Sequence, residues 1–141
     1  MEPLDLSGLP EQPLLLLDTA PIIYCLEDHS QLGPRFQPVF EAHRSGGLRL
    51  AVSTLTLAEV LTGPLRAHDE ALARRYRAVL ESWHLVDLDT GIAESAARLR
   101  ASLGLKLPDA VQVASALAIN ADAFVTHDRD FSRVRSLRVI S

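Results

Sequence analysis

Apolar residues along this chain come either in short unbroken runs or at helical spacing, and the two patterns alternate. Residues 14–17 are four leucines in succession that run into Asp18, after which Thr19, Ala20 and Pro21 turn the chain. A wholly apolar run bounded by turn residues is the pattern of a strand covered on both faces, as in parallel sheets. PIIYCLED (21–28) reads as a short helix entered through Pro21 in its first turn. Phe36, Val39, Phe40 and His43 recur at helical spacing over 35–45, and Ser45-Gly46-Gly47 stops that helix. LRLAVS (48–53) is a second strand, and TLTLAEVLTG (54–63) a helix expected to end at Gly63-Pro64. Leu72, Tyr76, Val79, Leu80 and Trp83 line one face of a helix over 68–83. HLVDLD (84–89) reads as a third strand, and Ile92, Ala96, Leu99 and Leu103 form a helical stripe closed by Gly104. PDAVQVASALAIN (108–120) is apolar on nearly every side, which predicts a buried central helix. AFVT (123–126) is the fourth strand and LRVIS (137–141) a short last one.

Strands that alternate with helices build βαβ units, so the expected fold class is α/β: a three-layer α/β/α sandwich around a mostly parallel sheet. At 141 residues, with no repeats or linker-like tracts, the chain reads as one domain over 14–141. Residues 1–13, acidic and proline-rich, read as a flexible lead-in; they have no basic n-region of the kind that opens a signal peptide. Asp18 and Pro21 interrupt the longest apolar stretch, so no membrane span is expected. The single cysteine, Cys25, allows no internal disulfide and fits a reducing cytoplasm, where it serves as core filler.

Net charge is −4, which argues against coating nucleic acid by bulk charge. Of the 14 basic residues only Lys106 is a lysine. The arginines bunch at 66–77 and at 129–138, the latter holding Arg129, Arg133, Arg135 and Arg138. These are either solvated faces or a local rim whose planar guanidinium forks suit phosphate.

Three carboxylates stand alone in apolar surroundings: Asp18, Glu59 and Asp109. A fourth, Asp128, directly follows the fourth strand in THDRDF. An ionised carboxylate in such a place costs several kcal/mol unless something compensates it. Each also has a purely structural use. Asp18 can end a strand and cap a helix, Glu59 can close a capping box with Thr56, Asp109 can favour the positive end of its helix, and Asp128 can cap the following turn. Parallel strands point the same way, however, so Asp18 and Asp128 are expected at one edge of the sheet. Asp109 lies in the first turn of the buried helix leading towards the fourth strand, and Glu59 about two turns into the helix after the second strand. Four carboxylates sharing an edge repel until a cation neutralises them, and an all-oxygen set suits Mg²⁺ or Mn²⁺. Such an ion polarises a phosphodiester and activates water. Other chemistries fare poorly. There is no HExxH or CxxC, the five histidines share no ligand spacing, no GxxxxGK[ST] or GxGxxG is present, and Ala20 breaks the DxD of aspartyl-phosphate phosphatases.

These residues, in this order, resemble the PIN-domain nucleases, and among them the VapC-like toxins of type II toxin–antitoxin pairs. LLLLDTAPIIY looks like the family's opening strand, STLTLAEVLTG like its second motif, LKLPDAVQVASAL like its third and FVTHDRDF like its fourth. The resemblance implies a divalent-cation-dependent endoribonuclease that hydrolyses RNA with metal-activated water. Asp18, Glu59, Asp109 and Asp128 would hold metal and water, with Thr126 and Asp130 in support. It also implies a homodimer and a small antitoxin partner whose C-terminal segment lies across the site. Two departures stand out. Ala20 replaces a frequent Asn or Ser, removing a hydrogen bond, and His127 replaces a frequent Asn. Tyr76 and Trp83 are read as packing or dimer residues. Two other readings remain: a PIN-like nuclease of RNA processing or DNA repair without an antitoxin, and a non-catalytic, metal-binding regulatory domain.

Overall fold

The side chains of Leu15, Leu16 and Leu17 are all fully buried, yet they cannot share one core, because successive residues of a strand face opposite sides of the sheet. The computed structural model, which describes residues 2–141, resolves this with a helical layer on each face. β1 (Leu14–Leu17) is the middle strand of a five-stranded sheet in the order β3-β2-β1-β4-β5. Its partners are β2 (Arg49–Ser53), β3 (His84–Val86), β4 (Ala123–Val125) and β5 (Val139–Ile140), and every pairing is parallel. The α/β/α class expected from the sequence is therefore the observed one, and the sheet is parallel throughout.

Leu15 and Leu17 meet the first core, with Leu50, Val52 and Val125 from the neighbouring strands. That core is closed by α1 (Thr19–Leu26), α2 (Leu32–Arg44), α3 (Thr54–Arg66) and α4 (Glu70–Glu81), through residues such as Ile22, Phe36, Val60 and Leu80. Leu16 faces the second core with Ala51 and Phe124. There α5 (Thr90–Leu103) and α6 (Leu107–Ala118) cover the sheet, and Phe131 stacks edge-on against Phe124 at 4.9 Å. The central position predicted for the helix after Pro108 holds, since residues 110–116 of α6 are all buried.

Several boundaries move for identifiable reasons. α1 starts at Thr19, two residues before Pro21, because Asp18 caps it by accepting the Thr19 N–H at 2.8 Å. α3 runs through Gly63-Pro64 to Arg66. The residue ahead of a proline is normally pushed out of the helical region by a clash involving its own Cβ, and Gly63 has none. β3 stops at Val86 because Asp89 is already the N-cap of α5, accepting the Ile92 N–H at 2.8 Å. Gly104 ends α5 in the left-handed conformation, as its position suggested. The described part of the lead-in, residues 2–13, has neither helix nor strand but is tied down. Leu4 is buried in the first core, and its N–H donates to the Arg35 carbonyl. The Arg35 guanidinium donates to the carbonyls of Glu2 and Ser141, and Arg138 to that of Ser7. Trp83 and Tyr76 are partly buried against the same core, Trp83 lying 6.0 Å from the Phe40 ring. Cys25 is also partly buried there, and that burial pushes its thiol pKa up.

β2 and β3 lie to one side of β1, and β4 and β5 to the other, so the chain reverses direction across the sheet between β1 and β4. In open parallel sheets the crevice outside the strand ends at such a reversal is where ligands bind. Leu16, on the floor of the second core beneath this point, is the most informative probe of the frame. Leu16→Ala is expected to lower unfolding stability by about 2–5 kcal/mol, measurable as a shift in the urea midpoint.

Candidate metal centre

Each acidic side chain at this edge is placed by a different element. Asp18 follows β1 and its own N–H donates to the Val125 carbonyl of β4, which locks the ends of the two strands together. Thr126 follows β4, is fully buried, and donates its hydroxyl to Asp18 Oδ2 at 2.7 Å. The Asp128 N–H donates back to Thr126 Oγ1 at 3.0 Å, and the Asp130 N–H to Asp128 Oδ1 at 2.8 Å. That pair of bonds folds the THDRD stretch into a tight turn whose two carboxylates emerge on one side. Asp109 enters from the first turn of α6, behind Pro108.

One carboxylate oxygen from each of Asp109, Asp128 and Asp130 lies within 4.8 Å of the other two. Asp109 is half-buried, and its pKa is raised above the ordinary 3.8. Burial is the main cause, reinforced by the negative charges of Asp128, Asp18 and Asp130; Lys106 acts weakly in the opposite sense. Among the described residues the ion pairs are Arg77–Glu81 and Arg98–Glu94, both on helix surfaces, so none of these carboxylates is held in an ion pair. Three mutually close, uncompensated oxygen donors fit a hard divalent cation.

The four-carboxylate set expected from the sequence is thus arranged in two parts. Asp109 and Asp128 meet, and Asp130, expected only to support them, joins them as an equal member. Asp18 adjoins this group through Thr126 and through its field at Asp109. Glu59 lies outside the group, two turns into α3 and exposed, where it accepts the Thr19 hydroxyl at 2.9 Å. The capping box with Thr56 does not form: Ser53 caps α3 and accepts the Thr56 N–H. Asp18 serves two elements at once: Oδ1 accepts the Thr19 N–H as the helix cap, and Oδ2 accepts the Thr126 hydroxyl beside the acidic group.

Sequence reasoning missed the polar residues that support this edge. Gln112 is 2% exposed and hydrogen-bonds Asp18, Thr56 and Ser53. The available signal was its position, one helical turn after Asp109 in an otherwise apolar helix. Thr19 does more than turn the chain: one position before Ala20, which has no polar group, its hydroxyl donates a hydrogen bond to Glu59. His127 points away from the carboxylates. Its ring packs edge-on against Tyr24 and Phe36, 5.8 Å from each, so it is a packing residue of the first helical layer.

A model of the PIN domain matches residues 15–137, nearly the whole of this architecture. The chain belongs to the PIN-domain family. Its fold is also that of solved toxin–antitoxin structures. A chain of a toxin–antitoxin complex from Klebsiella pneumoniae superposes with a TM-score of 0.69 at 26% identity, covering 90% of this chain and 96% of that one. A VapBC complex from Rickettsia felis, bound to a fragment of promoter DNA, gives 0.70 at 19% identity, with 89% and 96% covered. A sarcin–ricin-loop-cleaving VapC toxin from Mycobacterium tuberculosis gives 0.66 at 16% identity, with 84% and 92% covered. No curated protein sequence matches the chain. The family match and these neighbours together place the chain among PIN-domain proteins whose fold recurs in toxin–antitoxin structures. Among the described residues, no helix is long and apolar enough to cross a membrane.

The raised pKa of Asp109 has a direct effect on stability. A carboxyl whose folded-state pKa exceeds its unfolded value stabilises the fold below the unfolded value, and that contribution is lost as pH rises through the folded one. The metal-free Asp109→Asn protein is therefore expected to melt a few degrees above wild type at neutral pH. The gap should close as pH falls below 3.8, the ordinary carboxylate value. Added Mg²⁺ should stabilise wild type more than the variant, which differential scanning calorimetry would read directly.

Proposed function

We propose that the protein is a Mg²⁺- or Mn²⁺-dependent endoribonuclease and the toxin of a type II toxin–antitoxin pair, acting in the cytoplasm. The observation that carries this reading is the convergence of Asp109, Asp128 and Asp130 at the sheet's reversal point with no ion pair to any of them among the described residues. Family membership and the toxin–antitoxin neighbours supply its biological setting. Asp109, Asp128 and Asp130 would hold the cation, and Asp18 and Glu59 would complete the acidic rim that orders water and substrate. A bound ion would lower the pKa of water and polarise the phosphodiester.

The residues of the chain contribute the rest. Asp109 binds its proton at a higher pH than an ordinary carboxyl and gives it up when a cation arrives, so cation affinity should climb with pH across that range. The Thr126 hydroxyl fixes one oxygen of Asp18, so this carboxylate meets substrate in a single orientation. Beside Asp128, an open crevice of about 420 Å³ is lined by Arg129, Phe131 and Ser132. The Arg129 guanidinium there has no hydrogen-bond or ion-pair partner among the described residues and can face an RNA phosphate. An antitoxin that covers this rim would silence the enzyme, and pairing of two copies would fit the family pattern; both belong to the same proposal.

Expression of the wild-type chain should halt growth and cleave RNA, whereas Asp18→Asn and Asp109→Asn should each lower cleavage by at least 10²-fold while retaining the wild-type circular dichroism spectrum. Sequencing of cleavage products from cells carrying each form tests this. Wild-type cleavage by both variants would reject the assignment, as would activity unaffected by EDTA.

A further inference from the structure

The buried Gln112 side chain hydrogen-bonds Asp18 and Thr56, and its orientation is fixed by chemistry. The Ser53 hydroxyl accepts the Thr56 N–H at 3.2 Å, which leaves its proton to be donated to Gln112 Oε1 at 2.8 Å. The amide nitrogen must then face Thr56 Oγ1 at 2.7 Å and Asp18 Oδ1 at 3.2 Å. Turning the amide over would set its oxygen against the acceptor-only carboxylate of Asp18. From Thr56 the order continues without ambiguity. Thr19 gives its proton to Glu59 Oε1 at 2.9 Å, so the 3.1 Å contact between the two threonine hydroxyls must be donated by Thr56. The result is a directed chain from Gln112 through Thr56 and Thr19 to Glu59. A second arm runs from the same amide group to Asp18. Ser53, Thr56 and Gln112 are all at least 98% buried, and no buried side-chain nitrogen or oxygen among the described residues lacks a partner. In a low-dielectric interior such a fully satisfied network has one low-energy arrangement.

We propose that Gln112 is the positioning residue of this nuclease, whose carboxamide fixes Asp18 and Glu59 relative to each other and so sets the cation affinity of the edge. The inference rests on the metal-dependent reading above. Asp18 is adjacent to the carboxylate group that fits the ion, and its Oδ1 is otherwise held only by the Thr19 N–H of its own helix cap. Glu59 sits on a separate helix and is bridged to Asp18 by Thr19, whose N–H donates to Asp18 Oδ1 and whose hydroxyl donates to Glu59 Oε1; the Gln112 amide braces both ends of that bridge, donating to Asp18 Oδ1 and, through Thr56, to the Thr19 hydroxyl. Removing the amide would leave both carboxylates present, with the bridge between them held by Thr19 alone. Loss of outer partners that orient metal-binding groups typically weakens affinity about 10–100-fold.

The test uses Gln112→Met, which keeps length and apolar fit but removes every donor, and Thr56→Val, which is isosteric and cuts only the arm to Glu59. Mn²⁺ affinity is measured on the metal-free proteins by calorimetry, and kcat and KM on a short RNA. Gln112→Met should bind Mn²⁺ at least tenfold more weakly and lose kcat, with KM for RNA unchanged. Thr56→Val should show a smaller loss, and combining the two should add little to Gln112→Met alone, because both cut the same chain. Wild-type Mn²⁺ affinity in a folded Gln112→Met protein would overturn the inference. If that variant does not fold, wild-type affinity in Thr56→Val overturns it instead. The two failures are distinguishable. Should wild type bind Mn²⁺ yet cleave no RNA, the nuclease reading falls alone; should Asp109→Asn lose binding while Gln112→Met does not, only the role of Gln112 falls.

Discussion

The pairing of β1 with β4 is the constraint on which the rest depends. Leu15, Leu16 and Leu17 lie opposite Ala123, Phe124 and Val125, and the Asp18 N–H closes the ladder on the Val125 carbonyl. Side chains in a strand alternate with period two, so a one-residue slip would exchange Leu16 for its neighbours between the two cores and carry Asp18 away from Thr126. Register is thus enforced twice, by apolar burial on both faces and by the hydrogen bond at the strand ends. The same alignment delivers Thr126 to Asp18, and the following turn then has only to bring Asp128 and Asp130 round to Asp109.

Two kinds of chemistry are kept apart along these strands. The body of the sheet is almost purely apolar, so its stability comes from area removed from water and owes nothing to ionisation. The carboxylates of the acidic edge sit beyond the strand ends, on helix turns and one loop. The acidic edge can be mutually repulsive because the frame beneath it does not rely on it. That separation explains why a carboxylate group without basic partners is tolerated, and why neutralising one member is compatible with an intact fold.

Much of this was legible in the sequence, for physical reasons that also mark where legibility stopped. An unbroken apolar run in parallel strands and a stripe at helical spacing are local patterns, so the sheet, its helical layers and the solitary carboxylates could be found from neighbours in the chain. The two parts of the acidic set could not. Asp130 joins Asp109 and Asp128 because backbone hydrogen bonds at Thr126 and Asp128 tighten the turn, a matter of loop geometry that no periodicity reports. Ser53, Thr56 and Gln112 are brought together by packing between β2, α3 and α6, more than fifty residues apart in sequence. Read one at a time, such residues look like caps or helix fillers. Pro64 erred in the other direction, since a reliable stop signal was cancelled by the missing Cβ of Gly63. His127 likewise belongs to an aromatic cluster that only the packing of α1 and α2 creates.

The grip of Arg35 on both Glu2 and Ser141 bears on how the molecule can be handled. It brings the two ends of the described chain to one place, and Ser141 also forms a wall of the crevice that holds Asp128 and Arg129. A polypeptide appended at Ser141 leaves the protein at the mouth of the acidic edge, where it competes with a nucleic acid strand for the same approach. One appended at the amino end departs from the neighbourhood of Arg35. Affinity tags are therefore reagents with a position here. Cleavable ones, or attachment at the Gly46-Gly47 turn near the amino end of β2, keep the acidic rim open.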